Sequence, residues 1–207
     1  MPLMHSIRAI LKMNKVVIAF SRSDAFFRMC ADKVKACSVG HHITTIQKDG
    51  ANLNMEEVTK SLITAGDPVV FAVFCHGNNY GYSNDEKDYF IDCRDTTLYR
   101  LANDVVYSCA CESGSYDMVS NMASKGVKVY WGYNCDFVYF NDDDYVEVAI
   151  SGLKSMFEGS TLKEAKDILV NNMTNYADQL TSPLDAGFVY ENIDKLMVIG
   201  PDDFVLT

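Results

Sequence analysis

Short stretches of this 207-residue chain are apolar at almost every position, and the segments between them have helical spacing. Lys15–Ser21 (KVVIAFS) is a continuous β-branched run, the mark of a strand buried on both faces. Val69–Phe74, the start of Val105–Ser115 (VVYSCACESGS) and Val127–Tyr133 (VKVYWGY) share that character, and His41–Gln47 reads as a more polar strand nearer an edge. Ser23-Asp24 offers a cap for a helix over Ala25–Cys37, which Gly40 breaks. Asn54 caps a helix over Met55–Ala65, with Glu56 and Glu57 in its first turn, and Tyr116–Lys125 forms a helix stopped by Gly126. Strand and helix in alternation predict a mainly parallel sheet with right-handed crossovers and helices on both faces, an α/β three-layer sandwich.

Between the third and fourth of these strands the pattern changes. Tyr80–Ser83 and Asp88–Asp92 flank a polar turn and predict a small β-hairpin beside the main sheet, followed by a short helix around Thr97–Ala102. An acidic loop, Asp136 to Asp144, leads into a helix over Tyr145–Phe157, and Thr161 with Glu164 forms a capping box for the next. The tail, Gly187–Ile199, has apolar runs about an Asn192–Lys195 turn and predicts a closing hairpin. Residues 1–14 read as an amphipathic arm or a frayed leader, and 15–207 as a single domain without repeat or linker.

The formal net charge of −10 argues against nucleic acid and anionic membrane as partners, since both require basic patches. No apolar run is long enough to cross a bilayer, and Arg8 and Lys12 interrupt the opening segment, which makes it a poor signal peptide. The seven cysteines have no framework spacing, which predicts free thiols in a reducing, cytoplasmic setting.

One cysteine and one histidine have a chemical context. The apolar run at Val69–Phe74 ends in Cys75-His76-Gly77, and VVYSCACESG ends in Ala110-Cys111-Glu112-Ser113-Gly114. Each therefore leaves the carboxyl end of a strand, where ligands gather on a parallel sheet. A thiol nucleophile and a proton carrier need that arrangement. The start of the following helix near Ser115 supplies part of the positive environment that favours a thiolate. Cys109 reads as a confounder that points to the opposite face of the strand and packs in the core, and Cys75 as turned from His76 in the same way.

With these motifs in place the chain resembles the caspase-type cysteine peptidases, the clan of caspases, metacaspases, legumains, gingipains, clostripain and CHAT domains. FAVFCHG and VVYSCACESG carry the resemblance; the latter is close to the legumain ACESGS and the CHAT SACETG. The later YWGYN, acidic loop and FEGSTLKEA are similar to CHAT domains, so the likeness spans roughly residues 15–170. It implies a caspase-like fold and endopeptidase activity through a thioester on Cys111. His76 would protonate the leaving amine, and the backbone N–H groups of Gly77 and Cys111 would hold the oxyanion. The loop after the fifth strand would border the specificity pocket, which makes Asp136 or Asp142 a candidate partner for a basic residue, with Trp131 as a candidate groove residue.

The alternatives are an inactive caspase-like interaction or scaffold module, and another thiol hydrolase on a similar sheet. The expected partner is a peptide or protein substrate, with a regulatory protein or fused repeat beside it; no oligomeric state is assigned. No cofactor and no metal is assigned, because Cys75, His76, Cys109 and Cys111 lack zinc-knuckle spacing.

Overall fold

β1 (Lys15–Phe20) is buried along nearly its whole length, as its unbroken apolar run requires. Its neighbours are β2 (Thr44–Lys48) on one side and β3 (Val70–Phe74) on the other, both parallel to it. β7 (Val105–Cys109) and β8 (Val129–Tyr133) continue the parallel order, and β9 (Leu196–Ile199) closes the edge antiparallel to β8. The six-stranded sheet thus runs β2-β1-β3-β7-β8-β9. This computed structural model describes residues 15–66, 68–94, 101 and 104–206. The leader 1–14 and all of the expected Thr97–Ala102 helix except Leu101 lie outside them.

Alternate residues of each strand feed opposite cores, as the two-residue period of a strand dictates. Val16, Ile18, Val70, Ala72, Tyr107 and Trp131 pack on one face with α1 (Ala25–Gly40), α4 (Asp143–Phe157) and α5 (Leu162–Gln179). Val17, Ala19, Phe71, Val73, Val106 and Tyr130 pack on the other with α2 (Met55–Ala65) and α3 (Tyr116–Ser124). The architecture is α/β with a mostly parallel central sheet, compatible with a three-layer sandwich.

The expected small hairpin is a three-stranded sheet. β4 (His76–Asn78), β5 (Gly81–Ser83) and β6 (Tyr89–Asp92) pair antiparallel in that order. β4 begins two residues after β3 ends, so His76 has already left the main sheet. Tyr82, Phe90 and Ile91 anchor the small sheet in the α2–α3 core.

The tail is not a hairpin. Pro183–Asp194 forms a helix, α6, with Ser182 as N-cap and Pro183 in its first turn, and only Leu196–Ile199 is a strand. Gly187 is carried inside the helix, and Asn192 is a buried side chain with structural bonds of its own rather than a turn residue.

Candidate active site

The segment after β7 is folded back onto β8 by a set of short bonds. Glu112 N–H donates to the Cys135 carbonyl at 2.8 Å, and Gly114 N–H to the Tyr133 carbonyl at 2.8 Å. Ser113 Oγ donates to the Ala110 carbonyl at 2.7 Å and accepts from Tyr133 N–H at 3.1 Å. The fit depends on glycine: a Cβ on Gly132 would stand 2.9 Å from Gly114 N and from the Ser113 carbonyl group, all backbone. Ser115 then caps α3, accepting from Met118 N–H.

The His76 segment is brought against this loop. A Cβ on Gly77 would lie 2.8 Å from the Cys111 carbonyl oxygen and 3.0 Å from Ala110 Cβ, so only glycine admits so close an approach. From deeper in the structure Tyr82 Oη meets Tyr130 Oη at 2.9 Å, and Tyr130 donates to the Ser113 carbonyl at 2.5 Å. That pair ties the small sheet to β8 and to the Cys111 loop.

His76 is exposed, and its ring meets Phe27 edge-on at 5.7 Å. Phe27 in turn lies 5.1 Å from the Tyr139 ring, and Cys111 and Tyr139 both pack on the core to which Phe27 belongs. Tyr139 stacks on Phe26 at 4.6 Å and donates to Asp24 Oδ2 at 2.5 Å. Cys111 is half-buried. Burial pushes its thiol up, and the charges of Asp136 and Glu112 push the same way; the backbone N–H groups of Phe137 and of Cys111 itself act against them. The start of α3 is where it was expected, yet the net effect on the thiol is upward, so the resting sulfur is protonated at neutral pH.

The expected opposition of Cys109 and Cys111 does not hold. Residues two apart on an extended chain share a face. Cys109 is fully buried, 3.8 Å from the Ala149 carbonyl, and Cys111 packs at the rim of the same core. Depth separates them. Cys75 is fully buried in the opposite core.

Two of the expected substrate residues are structural. Trp131 is 1% exposed and packs against Tyr107 and α4 inside the core, because the odd-numbered positions of β8 face that core. Asp142 is the N-cap of α4: Oδ1 accepts from Tyr145 N–H at 2.7 Å and Oδ2 from Tyr176 Oη at 2.8 Å. Asp142→Ala is therefore expected to cost about 1 kcal/mol in denaturant unfolding, with no change in the kinetics of any reaction at Cys111. Asp136 remains exposed beside Cys111.

One carboxylate at the site escaped the sequence reading. Asp85, in the β5–β6 turn, accepts from Ser21 Oγ, from Ser23 Oγ at 2.7 Å and from Ser23 N–H at 3.3 Å. Although burial opposes them, these donors hold its carboxyl below the usual range. With His76, Gly77, Ser83, Lys87 and Tyr89 it lines a cleft of about 440 Å³. No local signal marks Asp85, since its partners are more than sixty residues away in the chain.

Among the described residues no helix is long and apolar enough to cross a membrane. No family profile matches the chain, and no curated protein matches it in sequence.

Proposed function

We propose that this chain is a caspase-like cysteine endopeptidase with Cys111 as nucleophile and His76 as proton carrier. The observation that carries the reading is the approach of the His76-Gly77 segment to the Cys111 backbone, closer than any side chain would allow. Both groups leave strands at the carboxyl edge of a parallel sheet, where such folds bind ligands.

A thiol protonated at rest fits the following order of events. Substrate binds; Cys111 gives its proton to His76 as sulfur attacks the peptide carbonyl. The oxyanion is met by the N–H groups of Gly77 and Cys111, donors of a kind that typically contribute ~3–4 kcal/mol. Collapse breaks the C–N bond, His76 protonates the departing amine, and a thioester remains on Cys111. Water, deprotonated by His76, hydrolyses it to a carboxylic acid and the free thiol.

With Asp142 committed to its helix, Asp136 is the residue that would favour Arg or Lys before the scissile bond. Fluorogenic peptides ending in Arg or Lys are expected to turn over at least about tenfold faster than those ending in Asp or Asn, with Asp136→Asn erasing most of the difference. Preferential cleavage after Asp or Asn would end the basic-site assignment. A second reading is favoured by the thiol itself: a sulfur held protonated, with acidic neighbours, also suits an inactive interaction module. A peptidyl acyloxymethylketone, which must occupy the site before the sulfur attacks it, separates the two. Failure of that probe to label Cys111, together with no turnover of any peptide, would overturn the peptidase reading and favour the module.

A further inference from the structure

We infer that Glu112 is a positioning residue, holding the segment that carries His76 against the segment that carries Cys111. This rests on the peptidase reading. Glu112 directly follows the nucleophile, with a backbone φ of +50°, in the left-handed region where glycine or asparagine is the undemanding choice. A glutamate at such a position has a use for its side chain. Its Oε2 accepts the Asn79 N–H at 3.2 Å, across 33 residues of sequence. Asn79 stands in the β4–β5 turn, immediately beyond the strand His76-Gly77-Asn78.

A second arm reaches the same residue. Ser115 Oγ donates to the Asn79 carbonyl at 3.2 Å. The loop after Cys111 thus clasps both backbone polar groups of one residue in the His76 turn, acceptor to donor and donor to acceptor. Glu112 is fixed in turn by its own N–H on the Cys135 carbonyl. From this left-handed position the side chain reaches out of its own loop to the turn after β4. His76 has no ladder partner in the main sheet among the described residues, since β4 pairs with β5 alone. Its distance from the sulfur therefore depends on contacts of this kind. Small displacements of a reacting group are expensive in rate: about 1 Å costs on the order of a hundredfold.

The test compares Glu112→Gln, Glu112→Asn and Glu112→Ala in the full chain. Gln keeps an oxygen that accepts from Asn79 and loses only the charge. Asn tolerates the left-handed backbone but is too short to reach, which isolates the clasp from backbone strain if the Ala variant folds poorly. Peptide kinetics and amide hydrogen exchange at Asn79 are read on each. Gln is expected to keep kcat within about threefold of wild type. Asn and Ala are expected to lose about a hundredfold in kcat with KM within about threefold, and to speed exchange at Asn79. Equal loss in Gln and Asn would make charge the cause and overturn the positioning role. Fast exchange at Asn79 with wild-type kcat would overturn it as well, leaving a clasp without catalytic effect. Peptides left uncut by the wild-type protein would sink the peptidase reading and the positioning role with it, while the exchange data would still report whether the clasp exists.

Discussion

Replacing Cys111 with alanine is expected to abolish peptide cleavage, a fall on the order of 10⁴–10⁶ in kcat, without unfolding the chain. The size follows from the role: covalent catalysis has no substitute once the sulfur is gone, and binding with oxyanion contacts alone leaves only a residue of activity. The fold should survive because Cys111 sits half-buried at the rim of the core, and the bonds that shape its loop come from Glu112, Ser113 and Gly114. Thermal melting followed by circular dichroism checks the second half, with an expected cost of about 1 kcal/mol or less. Cys109→Ala is the control. That thiol lies fully buried beneath α4 and has no role in the proposed reaction, so its loss should lower stability and spare kcat per folded molecule. An unchanged rate in the Cys111 variant would remove the nucleophile assignment outright.

Trp131→Ala carries the largest expected effect on stability, ~3–5 kcal/mol, as for other buried aromatics truncated in a core. Trp131 is sealed between Tyr107, with rings 5.3 Å apart, and Gly152, where a Cβ would come within 3.2 Å of the indole. Neither neighbour can close the space, Tyr107 because its hydroxyl is held on the Ala149 carbonyl at 2.7 Å, Gly152 because it is set in α4. For a domain of this size the loss corresponds to a fall in Tm of roughly 2–4 °C per kcal/mol. Trp131→Phe should recover most of it, since the indole Nε1 has no hydrogen-bond partner among the described residues. A groove role would show instead as a raised KM with an unchanged Tm. The chain has a single tryptophan, so its emission reports the same transition.

Why Trp131 invites the wrong role shows where sequence reasoning stops. The strands were legible because parallel strands are buried on both faces and read as apolar runs; β1, β3, β7 and β8 fall within a residue or two of expectation. Such a run says nothing about which face a given residue takes, and an aromatic at its end suits a groove or a core equally. Asp142 was ambiguous in the same way: a carboxylate before a helix is a cap or a ligand, and only Tyr145 N–H and Tyr176 Oη at its two oxygens decide. The tail misled because apolar runs on either side of Asn192–Lys195 look like paired strands, whereas the first run lies inside α6, with Val189 and Asn192 buried. His76-Gly77 and Ala110-Cys111 were visible as motifs. Their supports, Glu112 on Asn79 and Ser21 with Ser23 on Asp85, join residues distant in the chain and leave no local mark.

His76 lies in the small sheet and Cys111 follows a strand of the large one. Beyond the anchors Tyr82, Phe90 and Ile91 in the core and Asp85 on Ser21 and Ser23, the small sheet is tied to β8 and the Cys111 loop by a few side-chain bonds, Tyr82 on Tyr130 and Glu112 and Ser115 on Asn79. Fasteners of that sort open in local fluctuations that leave the central ladder intact. Under the proposed peptidase reading, gentle warming would therefore quench cleavage below the melting temperature, and cooling would restore it.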